Sequence, residues 1–73
     1  MNGMELLEKK IKDSGLKKGY ISDKLGIDRS AFRKKLDGKT EFTASEAGIL
    51  VDLLKLTAEE VRLIFYTARL SDN

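Results

Sequence analysis

The chain has 73 residues, which suffices for one small domain and is too short for a second hydrophobic core. It has no Cys and no His, so disulfide bonds, the usual zinc sites, thiol nucleophiles and imidazole acid–base catalysis are excluded. Since no apolar run approaches the roughly 18 residues of a membrane span and no signal-peptide core is present, we expect a soluble, cytoplasmic protein. One domain over residues 1–73, with an ordered core from about residue 4 to residue 70, is predicted.

Helical spacing of the apolar residues, without proline or sustained alternation, predicts an all-α chain. The first helix is expected over about residues 4–14. The second spans residues 18–25 and stops at Gly26, because a residue without Cβ readily adopts the left-handed conformation of a sharp turn. The third spans residues 29–36, with the side chain of Asp28 accepting from its first free amides.

Two capping boxes predict the starts of the fourth and fifth helices. They are Thr43-Ala-Ser-Glu46 and Thr57-Ala-Glu-Glu60, in which the hydroxyl and the carboxylate each accept a hydrogen bond from a free backbone N–H. The fourth helix should end near Lys55, and it is apolar around most of its circumference, as is typical of a central helix. Residues 71–73 are expected to be a frayed tail.

The net charge of +2 conceals an uneven distribution. Residues 17–39 hold eight basic and three acidic residues, or +5, whereas residues 40–73 hold three basic and six acidic residues, or −3. A basic two-helix segment beside an acidic remainder is the electrostatic pattern expected of a nucleic-acid-binding face. The plainer interpretation is a lysine-rich surface that keeps a small domain soluble.

Residues 18–36 contain Ile21 and the small Ser22 in the first helix of the pair, Leu25-Gly26-Ile27 at the turn, and Phe32 in the second helix. These residues suit two helices that cross closely and project the second helix outward. On these residues, the segment resembles the helix-turn-helix of phage repressor and Cro-type regulators. With one helix before and two after, the chain resembles a lambda-repressor-like domain, which implies a compact five-helix fold with helices 2 and 3 as the helix-turn-helix.

Two positions depart from that family's pattern. Its members often begin the motif with Thr-Gln, where this chain has Lys17 and Lys18, so the helix cap is weaker and the phosphate contact becomes ionic. An apolar residue near the end of the recognition helix is replaced by Lys35, which is followed by Leu36. Either the Lys35 stem lies along the surface while Leu36 fills the core, or the helix is rotated slightly.

The resemblance implies a sequence-specific transcriptional regulator of double-stranded DNA, bound as a homodimer to a pseudo-palindromic operator with the third helix in the major groove. The predicted base contacts are Arg29, Ser30, Arg33 and Lys34. The predicted phosphate contacts are Lys17, Lys18, Lys39 and Thr40. A solvated polar helix face is the alternative for the first set, and ordinary surface placement is the alternative for the second. Tyr20 either bonds a phosphate or packs against the first helix.

The fifth helix carries two apolar stripes. Those spaced to face the core are Val61, Ile64, Phe65 and Ala68. A second stripe consists of Leu63, Tyr66 and Leu70. Because regulators of this kind commonly bind as two-fold dimers, we hypothesise that the second stripe is a dimer or partner interface. Packing against the first helix around Leu6 is the alternative.

Other classes of function have less support. No enzyme is predicted, because no pair of acids with a nucleophile emerges and Glu59 and Glu60 belong to a capping box. A phosphate-binding loop at Lys39-Thr40 would need glycine where the chain has Arg33, and no cofactor or metal is expected. The main rival is a protein-interaction module, such as an antirepressor or antitoxin, that binds another regulator protein through the fifth helix or the basic face.

Overall fold

The computed structural model describes residues 2–66, and these residues form helices and no strand. The helices are α1 (Gly3–Ser14), α2 (Lys18–Leu25), α3 (Arg29–Leu36), α4 (Ala44–Leu54) and α5 (Ala58–Val61), and α5 continues directly into a π-helical segment, Arg62–Tyr66. The all-α prediction is therefore confirmed for this part of the chain. None of the described helices is long and apolar enough to cross a membrane.

The helix starts follow the capping residues of the sequence. At α4, Thr43 Oγ1 accepts from the Glu46 N–H at 3.1 Å and Glu46 Oε1 accepts from the Thr43 N–H at 2.9 Å. At α5, the same two bonds join Thr57 and Glu60 at 3.1 and 2.9 Å. Both predicted capping boxes are thus confirmed.

A third capping box was not recognised in the sequence, and it starts α1 at Gly3. Asn2 Oδ1 accepts from the Glu5 N–H at 2.8 Å, and Glu5 Oε1 accepts from the Asn2 N–H at 2.9 Å. Asn provides the same acceptor as Ser or Thr at this position, so Asn-x-x-Glu was the signal that could have identified it.

The core is an apolar cluster to which every α-helix from α1 to α4, the turn before α5 and the π-segment contribute. Its buried members are Leu7, Ile11, Ile21, Leu25, Phe32, Leu36, Leu50, Leu54, Leu56 and Ile64. Leu50 and Leu54 of α4 are buried while Ile49 and Leu53 are half-buried against the same cluster. The helix α4 packs against α1 and α2, in agreement with its predicted central place.

The end of the described chain differs from the predicted continuous α-helix. After Val61 the backbone widens into the π-segment, in which hydrogen bonds reach five residues back. This segment crosses α1 at Gly3, where an added Cβ would lie 2.7 Å from the Leu63 carbonyl oxygen and 2.9 Å from that of Ile64. A residue without a side chain therefore permits this close approach.

The two apolar stripes predicted for the fifth helix differ in burial, as far as the described residues reach. Ile64 is buried and Val61 and Phe65 are half-buried against the core. Leu63 and Tyr66 are 38% and 57% exposed, although Gly3 of α1 closely approaches the backbone of this segment. Ala68, Leu70 and the tail at residues 71–73 lie outside the described residues.

Candidate nucleic-acid interface

The connection between α2 and α3 sets how these two helices cross. Gly26 has φ of 74°, in the left-handed region that favours glycine, and its N–H donates to the Asp23 carbonyl at 3.1 Å. Next to it, the Ile27 N–H donates to the Ser22 carbonyl at 3.1 Å. Ser22 is itself buried, and its hydroxyl donates to the Gly19 carbonyl at 3.0 Å, so a small side chain stands at the helix contact with its polar atom satisfied.

The helix α3 has one apolar side and one charged side. Phe32 and Leu36, four residues apart, are buried, which turns the remaining positions away from the core. All four predicted base contacts are exposed, namely Arg29, Ser30, Arg33 and Lys34. The structure thus brings them onto the outer surface of a single helix.

Two shallow depressions connect this surface to the start of α2. One is lined by Lys18, Arg29, Ser30 and Arg33 over the edges of Phe32 and Leu36. The other is lined by Lys17, Lys18, Gly19, Tyr20, Asp23 and Arg29. Lys18 and Arg29 occur in both, so the depressions form one continuous surface with Lys17, Ser30 and Arg33. These five residues, together with Lys34, which is exposed on the same helix, are called the α2–α3 basic face.

Asp28 is the N-cap residue of α3. Its Oδ1 accepts from the Ala31 N–H at 2.7 Å and from the Ser30 hydroxyl at 2.9 Å. These two hydrogen bonds hold the pKa of the Asp28 carboxyl below its ordinary value, with a smaller contribution from the charge of Lys34. Ser30 therefore uses its donor within the helix cap and keeps its oxygen as an acceptor.

The cations of this face differ in their intramolecular partners. Lys18 Nζ lies 3.0 Å from Glu8 Oε1 of α1, and Arg33 Nε lies 3.4 Å from Asp37 Oδ1. Lys17, Arg29 and Lys34 are within 4.0 Å of no carboxylate oxygen in residues 2–66. These three side chains therefore make no ion pair within residues 2–66, although the charge of Lys34 acts on the nearby Asp28 carboxylate.

The two remaining predicted phosphate contacts follow α3. The Lys39 N–H donates to the Lys34 carbonyl at 2.9 Å and closes the turn, and the Lys39 side chain is exposed. Thr40 is also exposed, but it lines a separate depression with Met4, Phe42 and Phe65. Thr40 lines neither of the two depressions that Lys18 lines with Arg29.

The sequence left open whether Leu36 fills the core beside a surface-lying Lys35 stem or whether α3 is rotated, and the structure shows the first arrangement. Leu36 is buried and Lys35 is half-buried, so the lysine stem lies along the surface while Leu36 fills the core. Lys35 Nζ lies 3.1 Å from Glu46 Oε1, donates to the Glu41 carbonyl at 2.8 Å and sits 5.7 Å from the centre of the Phe42 ring. Sequence reasoning identified Glu46 as a capping residue and missed this second contact.

The protonation of Glu46 is governed by opposing effects. Burial alone raises the pKa of its carboxyl, but the Thr43 N–H and the Lys35 ammonium both bind the carboxylate, and the net result is a pKa below the ordinary value of 4.5. The paired, charged form of Glu46 is therefore the one that the fold favours.

Tyr20 stands at the edge of the α2–α3 basic face. Its side chain is exposed, and Lys24 Nζ lies 5.5 Å from the centre of its ring. Within residues 2–66 no three or more His, Cys, Asp or Glu residues are grouped so that they could hold a metal ion. Comparisons with known protein families, curated proteins and solved structures found no match to this chain.

Proposed function

We propose that the protein is a cytoplasmic, non-enzymatic regulator that binds double-stranded DNA sequence-specifically, with α2 and α3 acting as a helix-turn-helix. The observation that carries the proposal is the division of α3 into a buried side, Phe32 and Leu36, and an exposed side with its four polar residues. A helix anchored along one side and rich in hydrogen-bond donors along the other is suited to reading base edges.

The dimensions and donors of α3 agree with the major groove. An α-helix with its side chains is about 10–12 Å across, and the major groove, about 12 Å wide, admits one such helix. Arg29 and Arg33 each offer the paired N–H groups that match O6 and N7 of guanine. The exposed Arg33–Asp37 pair is a weak surface interaction, so a guanine edge can replace the carboxylate.

The start of α2 supports a phosphate contact beside that groove. Its N-cap residue, Lys17, makes no side-chain cap, and the first turn holds no acidic residue. The free N–H groups of α2 and the ammonium groups of Lys17 and Lys18 then all favour an anion at the same place. Lys18 would exchange Glu8 for a phosphate oxygen on binding.

A second candidate function is supported by a different observation. Leu63 and Tyr66 are large apolar side chains that are exposed on the π-segment. Exposed apolar side chains suit a dimer that binds a two-fold operator, or an interaction module that binds another regulator protein. Sedimentation of Tyr66→Glu beside the parent tests the role of these side chains: a lower mass supports self-association through them, and an unchanged mass contradicts it.

A pair of substitutions tests the DNA-binding proposal. We expect Arg33→Ala to weaken binding to the preferred duplex by about 1–3 kcal/mol and to relax preference at one base pair. Lys39→Ala should weaken binding to all duplexes alike and reduce the slope of log affinity against log salt by about 1. Fluorescence titrations at several salt concentrations measure both effects. If both variants bind like the parent, the assignment of α3 and its flanks to DNA is contradicted.

A further inference from the structure

The helices α4 and α5 both begin with a Thr–Glu capping box. In each box the glutamate also forms an ion pair with a lysine of another helix. Glu46 caps α4 and pairs with Lys35 of α3, and Glu60 caps α5 and pairs with Lys10 of α1 at 3.0 Å. The first pair therefore ties the end of α3, the helix assigned to the DNA groove, to the start of α4. The second pair lies between other helices.

The fully buried residues of α3 are Phe32 and Leu36, which are four residues apart and form a single line along the helix. A roll of the helix about that line would change where Arg29 and Arg33 point while both anchors stayed in the core. A contact away from the line opposes such a roll.

Lys35 provides such a contact. Successive residues of an α-helix are about 100° apart around the axis, so Lys35 leaves α3 well to one side of the Phe32–Leu36 line. Its ammonium meets three groups of one segment, the Glu41 carbonyl, the Phe42 ring and the Glu46 carboxylate. The Lys35 and Glu46 side chains are only 13% and 12% exposed, so water competes weakly for this contact.

We propose that the Lys35–Glu46 ion pair is a specificity-determining contact that fixes the roll of α3 and so sets which base pairs Arg29 and Arg33 reach. Lys35 and Glu46 are positioning residues that touch no base themselves. This inference rests on the proposed DNA-binding function. Because desolvation offsets much of the attraction within a buried ion pair, its main effect is on orientation rather than on the free energy of unfolding.

Glu46→Gln separates positioning from electrostatics. Glutamine also serves in a capping box, so the start of α4 is retained while the ion pair is lost. Removing a negative charge would by itself strengthen binding to every duplex. Loss of the fixed roll would instead lower the selectivity ratio, defined as the affinity for the preferred duplex divided by the affinity for a scrambled duplex of equal length.

The experiment measures this ratio for the full chain and its variants by fluorescence titration at one salt concentration. We expect Glu46→Gln to lower the ratio by about tenfold, comparable to losing one good base contact. The matched control is Glu60→Gln, which removes the same charge from the other capping box and should leave the ratio unchanged. Lys35→Arg keeps a cation that reaches Glu46 and should retain most of the selectivity.

Lys35→Met is a second route to the same test if Glu46→Gln does not fold, with Lys10→Met as its control. The methionine keeps an apolar stem against Phe42, and we expect the same loss of selectivity. If the parent is selective and every Lys35 or Glu46 variant that folds keeps its ratio, the positioning role is overturned while the proposed function stands. If the parent shows no preference for any duplex, the proposed function is overturned and this inference with it.

Discussion

The starts of α4 and α5 share a local sequence pattern and the same capping distances, yet they lead to different structures. The helix α4 continues for 11 residues, whereas α5 keeps α-helical geometry for four residues before the π-segment begins. The Lys35–Glu46 pair beside α4 is about half as exposed as the Lys10–Glu60 pair beside α5. A local motif therefore determines where a helix begins, and the tertiary surroundings determine how it continues.

The Lys35–Glu46 pair forms the α3–α4 junction, and the Lys10–Glu60 pair forms the α1–α5 junction. The carboxylates of these two junctions differ in what determines their pKa. For Glu60, the N–H of Thr57 and the ammonium of Lys10 are the largest effects, and both lower the pKa against a smaller effect of burial. For Glu46, burial is the largest effect and acts in the opposite direction, and the hydrogen bonds outweigh it. Breaking the α3–α4 junction consequently leaves a buried carboxylate with no ammonium partner and only the Thr43 N–H, whereas breaking the α1–α5 junction leaves a more exposed one.

Phe42 connects α3 to the π-segment, and its loss should have the largest effect on stability. Its ring is edge-on to Phe32 of α3 at 6.2 Å and to Phe65 of the π-segment at 6.0 Å. Because Phe42 is only half-buried, we expect Phe42→Ala to lower the free energy of unfolding by about 2–3 kcal/mol, less than a fully buried phenylalanine. Urea unfolding measures it, with exposed Tyr66→Ala as the control. A loss no larger than that of Tyr66→Ala would show that Phe42 does not join the two regions.

Removing one lysine at a time compares the junctions directly. Lys35→Met should lower the free energy of unfolding by about 1–2 kcal/mol, because Glu46 remains buried and unpaired. Lys10→Met should cost less, because water reaches Glu60 more easily. Combining Lys35→Met with Glu46→Gln should restore part of the loss. Equal losses in urea unfolding for the two lysine variants would contradict the difference in burial.

Acid should also weaken the α3–α4 junction, with a smaller loss of unfolding free energy than the Lys35→Met substitution causes. Since the folded pKa of Glu46 is below 4.5, its ordinary value, the unfolded chain binds a proton first as the pH falls. The stability contributed by charged Glu46 is present above about pH 4.5 and is lost as the pH falls through the folded pKa. Unfolding free energies from about pH 5 to about pH 3 should therefore fall less steeply in Glu46→Gln than in the parent, while other carboxylates with lowered pKa values, such as Asp28, keep some slope. Identical slopes would contradict the assignment.

Much of the fold could be predicted because its helix boundaries are encoded locally. Capping side chains lie three residues from the amides they bind, and Gly26 occupies a left-handed position, so short-range patterns were sufficient. The π-segment was not predictable, because the spacing of Val61, Ile64 and Phe65 suits an α-helix equally well. The segment crosses α1 at Gly3, which is distant in sequence.

In the candidate site, too, the features set by local sequence could be predicted and the contacts between distant residues could not. That Phe32 and Leu36 would turn Arg29 and Arg33 outward followed from helical periodicity alone. The contact of Lys35 with Glu46 did not, since the partners are separated by a loop and belong to different helices. The depression that Thr40 lines likewise includes residues distant in sequence, Met4 and Phe65.

The central claim, that α3 reads a DNA sequence, is tested most directly by selection from a pool of random duplexes with the parent and with Arg33→Ala. The account predicts that the parent enriches one motif, and that Arg33→Ala enriches a motif that has lost its preference at a base pair the parent specifies. No enriched motif with the parent, or the same motif with both proteins, would contradict it.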